Sequence, residues 1–377
     1  MRNQPALWPS PEWHLKKFTP DLPVLYFSPD VLQSTAKRFL EGFDGLVTYA
    51  VKANDDAEVL ANLVAAGIAA FDVASPPEMR RVRDAKPDAV LHYHNPVRSP
   101  DEIAQAVGHG IASWSIDSVT ELDKLADVPR QGTEIAVRLR LPVAGAAYDF
   151  GEKFGADPDL AVTLLQKVVE MGFVPSLTFH PGTQCGDPQA WAVYIVEAAD
   201  VAKRAGVRLA RLNVGGGFAA HRSGTAPDLE AIFDRISQET RRAFGLDAPQ
   251  LVCEPGRAMV AEAFTLGLRI KAIRGEDAVF LNDGVYGALT ELRDIGVPDR
   301  IQVMRATGEP VEGALRSRVI FGPTCDSLDR LPDPLLLPSN VAEGDYVLFR
   351  AMGAYSASIS TGFNGYGLQD VVTVAAL

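Results

Sequence analysis

The sequence predicts a (β/α)8 barrel followed by a second, mainly antiparallel β domain. Between about residues 45 and 257, eight short β-rich runs alternate with stretches that read as helices. This order is typical of parallel strands that are joined by crossover helices. After residue 257 the β-rich runs are separated by turns and show little helical periodicity. That change of pattern indicates a separate domain whose strands pair mainly antiparallel.

The eight runs are apolar along most of their length, as parallel strands buried on both faces should be. They are LVTYAVKAN (46–54), AAFDVAS (69–75), AVLHYHN (89–95), ASWSID (112–117), EIAVRLRL (134–141), SLTFHPGTQ (176–184), RLNVGGG (211–217) and QLVCEPGR (250–257). Periodicity does not show whether a sheet closes on itself. A doubly wound open sheet is therefore the alternative to a barrel.

The helices between these runs have recognisable beginnings and ends. A serine or aspartate cap precedes a proline, or precedes a glutamate by three residues, as at helix N-termini. Glycines stand where several helices should end. The caps are Ser75, Ser118, Asp157 and Asp187, and the glycines are Gly67, Gly172 and Gly206. One further helix is predicted from residue 28 to residue 42, before the first barrel strand.

The second domain is predicted from five strand-like runs near the C-terminus. They are TLGLRIKAIR (265–274), DAVFLNDGVYG (277–287), RIQVMRA (300–306), RSRVIFGP (316–323) and DYVLFRAMGAYS (345–356). The N-terminal VLYFS (24–28) is expected to add a strand to the same sheet. We therefore predict a barrel over residues 28–262 and a β domain made of residues 1–27 and 263–377.

Composition narrows the class of function. With 36 Lys and Arg against 48 Asp and Glu, the formal charge is −12, which argues against nucleic acid as a partner. Three widely spaced cysteines are too few for a disulfide framework or a zinc cluster, so no metal is predicted. The N-terminus lacks the apolar core of a signal peptide, and no segment reaches membrane-spanning length. A soluble cytoplasmic protein is expected.

Candidate reactive residues follow the predicted barrel strands, where the active sites of such barrels lie. Lys52 stands in an apolar run, where it must be desolvated or covalently engaged, and desolvation would lower its pKa toward nucleophilic use. The alternative is a lysine that reaches out to solvent at the strand end. Three consecutive glycines, 215–217, would let backbone N–H groups approach an anion. Turn residues around Cys325 predict an accessible thiol, although an isolated cysteine is most often a small buried residue. The other candidates at this end of the barrel are Arg138, His180, Glu254 and Arg257.

Nine motifs in order then match a known family. They are YAVKAN, FDVAS-x-x-E, VRLR followed by EKFG, FHPGTQ, NVGGGF, CEPGR, NDGVYG, FGPTCDSLD and GAYS with FNGYG. Through them the chain resembles the ornithine decarboxylases of the alanine-racemase-like (fold type III) pyridoxal-phosphate enzymes, from about Leu25 to Gly367. The resemblance implies decarboxylation of L-ornithine to putrescine with pyridoxal 5′-phosphate. It also implies a homodimer with shared active sites.

The resemblance gives individual residues expected roles. Lys52 would hold the cofactor covalently and take part in proton transfer, His180 would lie against its ring, and Glu254 would pair with the ring nitrogen. Cys325 and Asp326 would come from the partner subunit, with Cys325 as the proton donor to Cα. The phosphate would be held by Thr183, the backbone of Gly215, Gly216 and Gly217, Arg257 and Tyr355, and Gly256 is a further cofactor-binding position. Asp72, Glu78 and Arg138 would form a polar shell around the lysine and the ring. Asp283 would help bind the distal amine of the substrate.

The resemblance leaves several alternatives to ornithine decarboxylation open. Glu254 would keep the ring nitrogen protonated, which favours decarboxylation over racemisation, since racemases of this fold place an arginine there. Asp326 favours a plain diamine substrate, because diaminopimelate enzymes, which must bind a second carboxylate, typically carry glutamate after the cysteine. The segment 288–293 differs from that of the animal enzymes, and HPGT (180–183) replaces the usual HVGS. A lysine or dual lysine/ornithine decarboxylase is the main alternative, and a non-catalytic homologue that binds regulators is another.

Overall fold

The computed structural model describes residues 7–142, 153–368 and 370–377. Glu152 of the EKFG motif therefore lies outside the described residues. The chain forms two compact units, one made of Ser34–Ala219 and Pro227–Met259, the other of residues up to Gln33, Ala220–Ala226 and Val260–Leu377. The second of these begins with helix α1 (Pro11–Phe18) and strand β1 (Val24–Phe27).

The first unit contains a closed barrel of eight parallel strands. They are β2 (Leu46–Ala50), β3 (Ala70–Val73), β4 (Val90–Tyr93), β5 (Ser113–Ile116), β6 (Glu134–Leu139), β7 (Val174–Phe179), β8 (Arg211–Asn213) and β9 (Gln250–Cys253). Closure occurs where β9 pairs with β2, with Val252 opposite Leu46. The predicted barrel is thus confirmed, and the open-sheet alternative is wrong.

Most of the strands are shorter than the sequence runs that predicted them, mainly at the carboxyl end. The run 211–217 gives only the three residues of β8, and the run 250–257 gives only the four of β9. In both cases the hydrogen-bonded strand ends early, and the rest of the run forms a turn that contains glycine. These turns carry candidate site residues, because strands of a parallel barrel present their carboxyl ends at one mouth.

Helices connect the strands, and most predicted caps are confirmed. Asp157, Asp187 and Ser118 each accept a hydrogen bond from a backbone N–H in the first turn. Ser75 occupies the N-cap position without such a bond. The spacing of Ser75 and Glu78 predicts a capping box, but Glu78 accepts from the N–H of Ala74, so this prediction is wrong. The helices are α2 (Pro29–Gly42), α3 (Ala57–Ala66), α4 (Pro76–Ala85), α5 (Pro100–Gly108), α6 (Val119–Asp123), α7 (Pro158–Glu170), α8 (Pro188–Ala205), α9 (Leu229–Phe244) and α10 (Arg257–Val260).

The other unit is built on a mainly antiparallel sheet, as predicted. Its strands after β1 are β10 (Phe264–Arg274), β11 (Ala278–Leu281), β12 (Ile301–Met304), β13 (Leu315–Phe321), β14 (Leu335–Pro338), β15 (Tyr346–Arg350) and β16 (Asp370–Thr373), with a short helix α11 (Leu292–Ile295). The predicted N-terminal strand is confirmed, because β1 pairs antiparallel with β10. The pairs β1–β16 and β11–β13 are parallel. No helix within the described ranges is both long and apolar enough to cross a membrane.

Candidate active site

A cavity of about 240 Å³ lies at the carboxyl ends of the barrel strands. It brings together residues from six different strands or the turns after them, which matches where (β/α)8 barrels place their chemistry. The residues expected there from the sequence are Lys52, Asp72, Arg138, His180 and Glu254; the others include His94, Asn95, Lys153 and Phe154. The convergence of the five predicted side chains on one cavity makes it the candidate active site.

Lys52 lies in a short 3-10 turn, Val51–Ala53, that follows β2. Its two neighbours in the turn are buried, but Lys52 itself is exposed. Of the two alternatives for this lysine, desolvation is not found, because the turn directs its side chain out of the apolar strand and into the cavity; covalent engagement stays a prediction. Its positive charge favours the ionised forms of the carboxyl groups of Asp72 and Glu254, and so opposes the rise in pKa that burial causes at each of them.

Glu254 follows β9, and its side chain is only 11% exposed. Burial by itself would raise the pKa of this carboxyl. An ion pair and hydrogen bond with His94, a hydrogen bond from the amide of Asn213 and the charge of Lys52 outweigh burial and lower the pKa to about 2. Glu254 is consequently a buried carboxylate that stays ionised at neutral pH.

His94, the partner of Glu254, was not among the residues singled out from the sequence. Burial opposes its charged form, but Glu254, then Asp72 and Glu134, raise its pKa above the ordinary value. As an imidazolium it donates from Nδ1 to Glu254 and from Nε2 to the hydroxyl of Ser113, 3.0 Å away. The alternation His92-Tyr93-His94 was the available signal, because residues two apart in a strand face the same side.

Two further carboxyl groups interact with Lys52: Asp72, which lines the cavity, and Glu78, which does not. Asp72 on β3 is 8% exposed, and burial, then the charge of Glu254, raise its pKa. Its Oδ1 has no hydrogen-bond partner within the part of the chain that the structure describes. Burial also raises the pKa of Glu78, whose carboxylate accepts the N–H of Ala74. A polar group of a ligand would therefore find an unpaired carboxyl oxygen at Asp72.

His180 follows β7 and is held as a neutral ring. Its Nδ1 accepts a hydrogen bond of 3.1 Å from the N–H of Gly182, which leaves Nε2 to carry the proton. Burial, then the charges of Lys52 and Arg138, lower its pKa to about 3. Arg138 on β6 stacks its guanidinium over the Phe154 ring at 5.2 Å. A neutral, fixed imidazole presents a flat face, which suits packing against an aromatic ligand.

The three glycines after β8 make a turn that packs too closely for any side chain. A Cβ on Gly215, Gly216 or Gly217 would lie 2.1, 2.6 or 2.2 Å from a carbonyl oxygen. Gly215 and Gly217 also have left-handed φ angles of 69° and 83°, which glycine adopts without strain. The N–H of Gly215 donates to Asn213 at 2.9 Å. The predicted anion cradle is thus a real close turn, but its first N–H is already used.

The remaining predicted phosphate contacts in this unit are also buried. Thr183 and Arg257 are 8% and 7% exposed. Gly256 lies against the end of β2, since a Cβ there would be 3.1 Å from the side chain of Ala53. The backbone N–H of Glu254 donates to the carbonyl of Gly215, which ties the CEPGR turn to the glycine turn.

Taken together, these residues fit pyridoxal phosphate. The cofactor requires an amine for its aldehyde, a partner for its ring nitrogen and a close-packed turn for its phosphate. The cavity offers Lys52, the ionised Glu254 and the flat ring of His180, and the glycine turn packs against that ring. The orphan oxygen of Asp72 is a further polar position that a bound group could satisfy.

In the other unit, Cys325 lies in a loop and is exposed, as its flanking turn residues predicted. The side-chain oxygen of Asn364 accepts from the Cys325 backbone N–H at 3.2 Å and from its thiol at 3.3 Å. Asp326 accepts from the N–H of Leu328 and the hydroxyl of Tyr286, and these two bonds lower its pKa. An accessible thiol therefore stands next to a stable carboxylate.

Asp283 has a structural role, bonding the backbone of its own turn, that the sequence did not suggest. It is 1% exposed, and its two oxygens accept the N–H groups of Gly284 and Ala288 at 2.9 and 2.8 Å. Burial raises its pKa to about 6 although these bonds oppose the shift. The carboxylate closes its own turn, so the expected contact with a substrate amine stays a prediction. Tyr355 has a left-handed φ of 65°, a conformation uncommon for a residue with a side chain.

Asp329 was also missed, although it is the second aspartate of GPTCDSLD. It is 1% exposed and accepts the backbone N–H groups of Val285 and Thr324 together with the Thr324 hydroxyl. Gly284 and Gly322 approach it so closely that a Cβ on either would lie about 2 Å from its carboxylate. Asp329 therefore joins the turn at residues 283–287 to the loop that carries Cys325.

Comparison with known proteins agrees with this geometry. Residues 30–261 match the family model "Pyridoxal-dependent decarboxylase, pyridoxal binding domain". The chain is 34% identical over 343 residues to decarboxylase flvG of Aspergillus flavus, covering 84% of this chain and 77% of that protein. It is 31% identical over 352 residues to ornithine decarboxylase of Mus musculus, covering 86% and 74%.

Solved structures give the same result for the whole fold. The arginine decarboxylase of Paramecium bursaria Chlorella virus is 25% identical and superposes with a TM-score of 0.85, over 96% of this chain and 98% of that one. The lysine/ornithine decarboxylase of Vibrio vulnificus complexed with putrescine is 26% identical, with a TM-score of 0.79 over 97% and 99%. The chain belongs to the pyridoxal-dependent decarboxylase family, and it is a fold type III enzyme whose cofactor is pyridoxal phosphate.

Proposed function

We propose that this decarboxylase converts L-ornithine to putrescine, with lysine as the main competing substrate. Support comes from the relative in Mus musculus that is named an ornithine decarboxylase and from the Vibrio vulnificus structure with putrescine. Neighbours named for lysine and for arginine keep those substrates as alternatives. The action on a basic amino acid is common to all of them.

The ionised state of Glu254 is the observation that supports decarboxylation most directly. Bound pyridoxal phosphate withdraws the electron pair that is left at Cα when carbon dioxide departs, and a protonated ring nitrogen strengthens this withdrawal. Glu254 is a buried carboxylate whose charge His94 and Asn213 stabilise. Facing the ring nitrogen, it would hold a proton there. A racemase would gain less from such a group, because strong withdrawal of the electron pair at Cα opposes the reversible proton exchange on which racemisation depends.

The other cofactor contacts follow from the same placement. Lys52 would hold the cofactor covalently and release it to the substrate amine, and His180 would lie against the ring. The phosphate would be bound by Thr183, the N–H groups of Gly216 and Gly217, Arg257 and Tyr355, with Gly256 keeping the turn close to β2; Asp72, Glu78 and Arg138 would complete the polar shell.

We further propose that the Cys325 loop of one subunit completes the site of its partner in a homodimer. Cys325 would donate a proton to Cα after carbon dioxide has left. Asp326 would bind the distal ammonium of the substrate by a charge-assisted hydrogen bond. The exposure of the thiol and the lowered pKa of Asp326 support these roles. Asp283 would act with Asp326, and a cytoplasmic location remains an expectation.

Carbon dioxide release from a panel of amino acids tests the substrate. The purified holoenzyme is supplied with L-ornithine, L-lysine, L-arginine or meso-diaminopimelate, and the amine product is identified by mass. We expect the highest kcat/KM with ornithine and none with the Lys52→Ala variant. A higher kcat/KM with lysine or arginine would reassign the substrate. No release from any basic amino acid by the cofactor-loaded protein would reject the proposed activity.

Subunit mixing tests the shared site. Lys52→Ala and Cys325→Ala subunits, each inactive or nearly so, are mixed under conditions where a mass-tagged pair proves exchange. If sites are shared, the heterodimer contains one site with both residues intact, and activity returns to about a quarter of the wild-type value for a statistical mixture. No recovery despite exchange would show that each chain supplies its own lysine and cysteine.

A further inference from the structure

The polar groups inside the barrel form one continuous line of hydrogen bonds. Glu254 accepts from His94, and His94 donates at 3.0 Å to Ser113. The Ser113 hydroxyl donates to Glu134 at 2.7 Å, and Arg211 donates to the other oxygen of Glu134 at 2.5 Å. Glu254 follows the end of β9, whereas Ser113, Glu134 and Arg211 are the first residues of their strands. The line therefore crosses the barrel from one end to the other.

The hydrogen bonds of this line define the charge at His94 once Glu254 and Glu134 are ionised. The amide nitrogen of Asn213, which donates to Glu254, also lies 3.2 Å from Nδ1 of His94. Glu254 and Glu134 are acceptors when ionised, and the Ser113 proton points to Glu134. Ser113 must then receive a proton from Nε2, and Glu254 one from Nδ1, so both ring nitrogens carry hydrogen. Charge alternates along the line as carboxylate, imidazolium, carboxylate and guanidinium. A buried cation is tolerated where it is paired in this way.

The neighbouring histidine, His92, is arranged to stay neutral. It is 0% exposed, and its ring stacks on that of His94 with centroids 5.4 Å apart. Burial, then the charges of His94 and Arg211, lower its pKa well below the ordinary value. Neither ring nitrogen of His92 has a partner within the described ranges. The positive charge of the two histidines therefore resides on His94, next to Glu254.

We propose that His94 is a positioning residue for the cofactor: as an imidazolium it keeps Glu254 ionised and oriented, and Glu134 holds His94 in that state through Ser113. Asn213 supports the same orientation, since its amide donates to Glu254 and its oxygen accepts from Gly215. The inference rests on the proposed pairing of Glu254 with the ring nitrogen. It does not depend on which basic amino acid is decarboxylated.

The charged groups that face His94 come from several strands, and their sum has a clear sign. The carboxyl groups that favour the charged form of His94 are Glu254 after β9, Asp72 on β3 and Glu134 on β6. The positively charged groups near the line, which oppose it, are Lys52 after β2, Arg138 on β6 and Arg211 on β8. Glu134 is the acid in this set that is farthest along the line from Glu254. It can be neutralised without touching the cavity, because it is not among the residues that line it.

Histidine labelled with carbon-13 at Cε1 provides a test that does not require turnover. In the holoenzyme, the His94 resonance, assigned by its loss in His94→Gln, should report an imidazolium at pH 7. In Glu134→Gln its titration should move to lower pH by at least about one unit, a tenfold change in the ionisation equilibrium. The control Glu121→Gln removes another buried carboxylate, which pairs with Lys124, and should leave the resonance unchanged. A neutral His94 at pH 7, or no response to Glu134→Gln, would overturn the proposal.

Cofactor dissociation separates this inference from the assignment on which it rests. Glu254→Gln and His94→Gln should each weaken pyridoxal phosphate binding, measured by equilibrium dialysis, by about tenfold or more. Glu134→Gln should weaken it between the pH at which its own His94 titrates and the higher pH at which the wild-type His94 titrates, because only the variant has lost the proton there. If Glu254→Gln binds the cofactor normally, the ring-nitrogen pairing itself is wrong. If Glu254→Gln weakens binding but His94→Gln and Glu134→Gln do not, the pairing stands and the positioning role of His94 is wrong.

Discussion

Replacing Gly217 with alanine tests whether the glycine turn is set by close packing. The new Cβ would lie 2.2 Å from the carbonyl oxygen of Gly182 and 3.3 Å from Cε1 of His180. A left-handed backbone costs an L-residue about 1–2 kcal/mol, and overpacking a well-packed site costs about 1–3 kcal/mol more. We therefore expect Gly217→Ala to lower the free energy of unfolding by about 2–5 kcal/mol.

Gly206→Ala is the matched control. Gly206 ends α8 with a left-handed φ of 68°, and within the described part of the chain no heavy atom beyond its chain neighbours and the backbone of its own helix lies within 4 Å of the position of a Cβ. It carries the backbone penalty without the clash, so its cost should stay at about 1–2 kcal/mol. Denaturant unfolding of both variants gives the two free energies, and cofactor titration gives the affinity. Gly217→Ala should also weaken cofactor binding, because the backbone next to His180 must move to relieve the clash of the new Cβ with Gly182. Equal unfolding free energies and unchanged affinity would refute the close-packing argument.

Three other predictions follow from single contacts. The pKa of Asp72 is raised in the folded state, so the folding stability should fall as the pH rises above the unfolded pKa, near 4. The melting temperature of the cofactor-free Asp72→Asn variant should fall less over the same pH range than that of the wild type. Parallel curves for the two proteins would contradict this. Only Cys325 of the three cysteines is exposed, so one thiol should react rapidly with a disulfide reagent and Cys325→Ala should abolish that phase. Asp329→Asn should expose the loop at 322–330 to proteolysis, whereas the exposed Asp333→Asn should not; equal cleavage would contradict its anchoring role.

The barrel could be predicted because its cause is local. Strand runs that are apolar throughout, helix caps such as Asp157 and Asp187, and terminal glycines are legible one segment at a time. The candidate residues Lys52, His180 and Glu254 could be placed together for the same reason, because each follows a strand and the carboxyl ends of parallel strands meet at one mouth. Closure itself was not local, since it depends on the pairing of β9 with β2.

The polar line through the barrel could not be predicted from the sequence. His94, Ser113 and Glu134 belong to three segments that are separated by helices, and their hydrogen bonds depend on how far each strand is shifted against the next. A shift of one residue would turn a side chain from the interior to the outside. The histidine alternation was visible, but the charge on His94 depends on which groups face it.

The surroundings of individual side chains were likewise decided by tertiary structure. An apolar run around Lys52 suggested burial, yet one 3-10 turn leaves the lysine exposed. Asp283 follows a strand and Asp326 follows a turn, but the first is buried and bonded to its own turn, whereas the second is partly exposed and accepts the hydroxyl of Tyr286. Sequence alone thus determined the order of elements and the residue types available for the chemistry. Solvent exposure and the neighbouring charges, which set the ionisation of those residues, arise only when distant segments pack together.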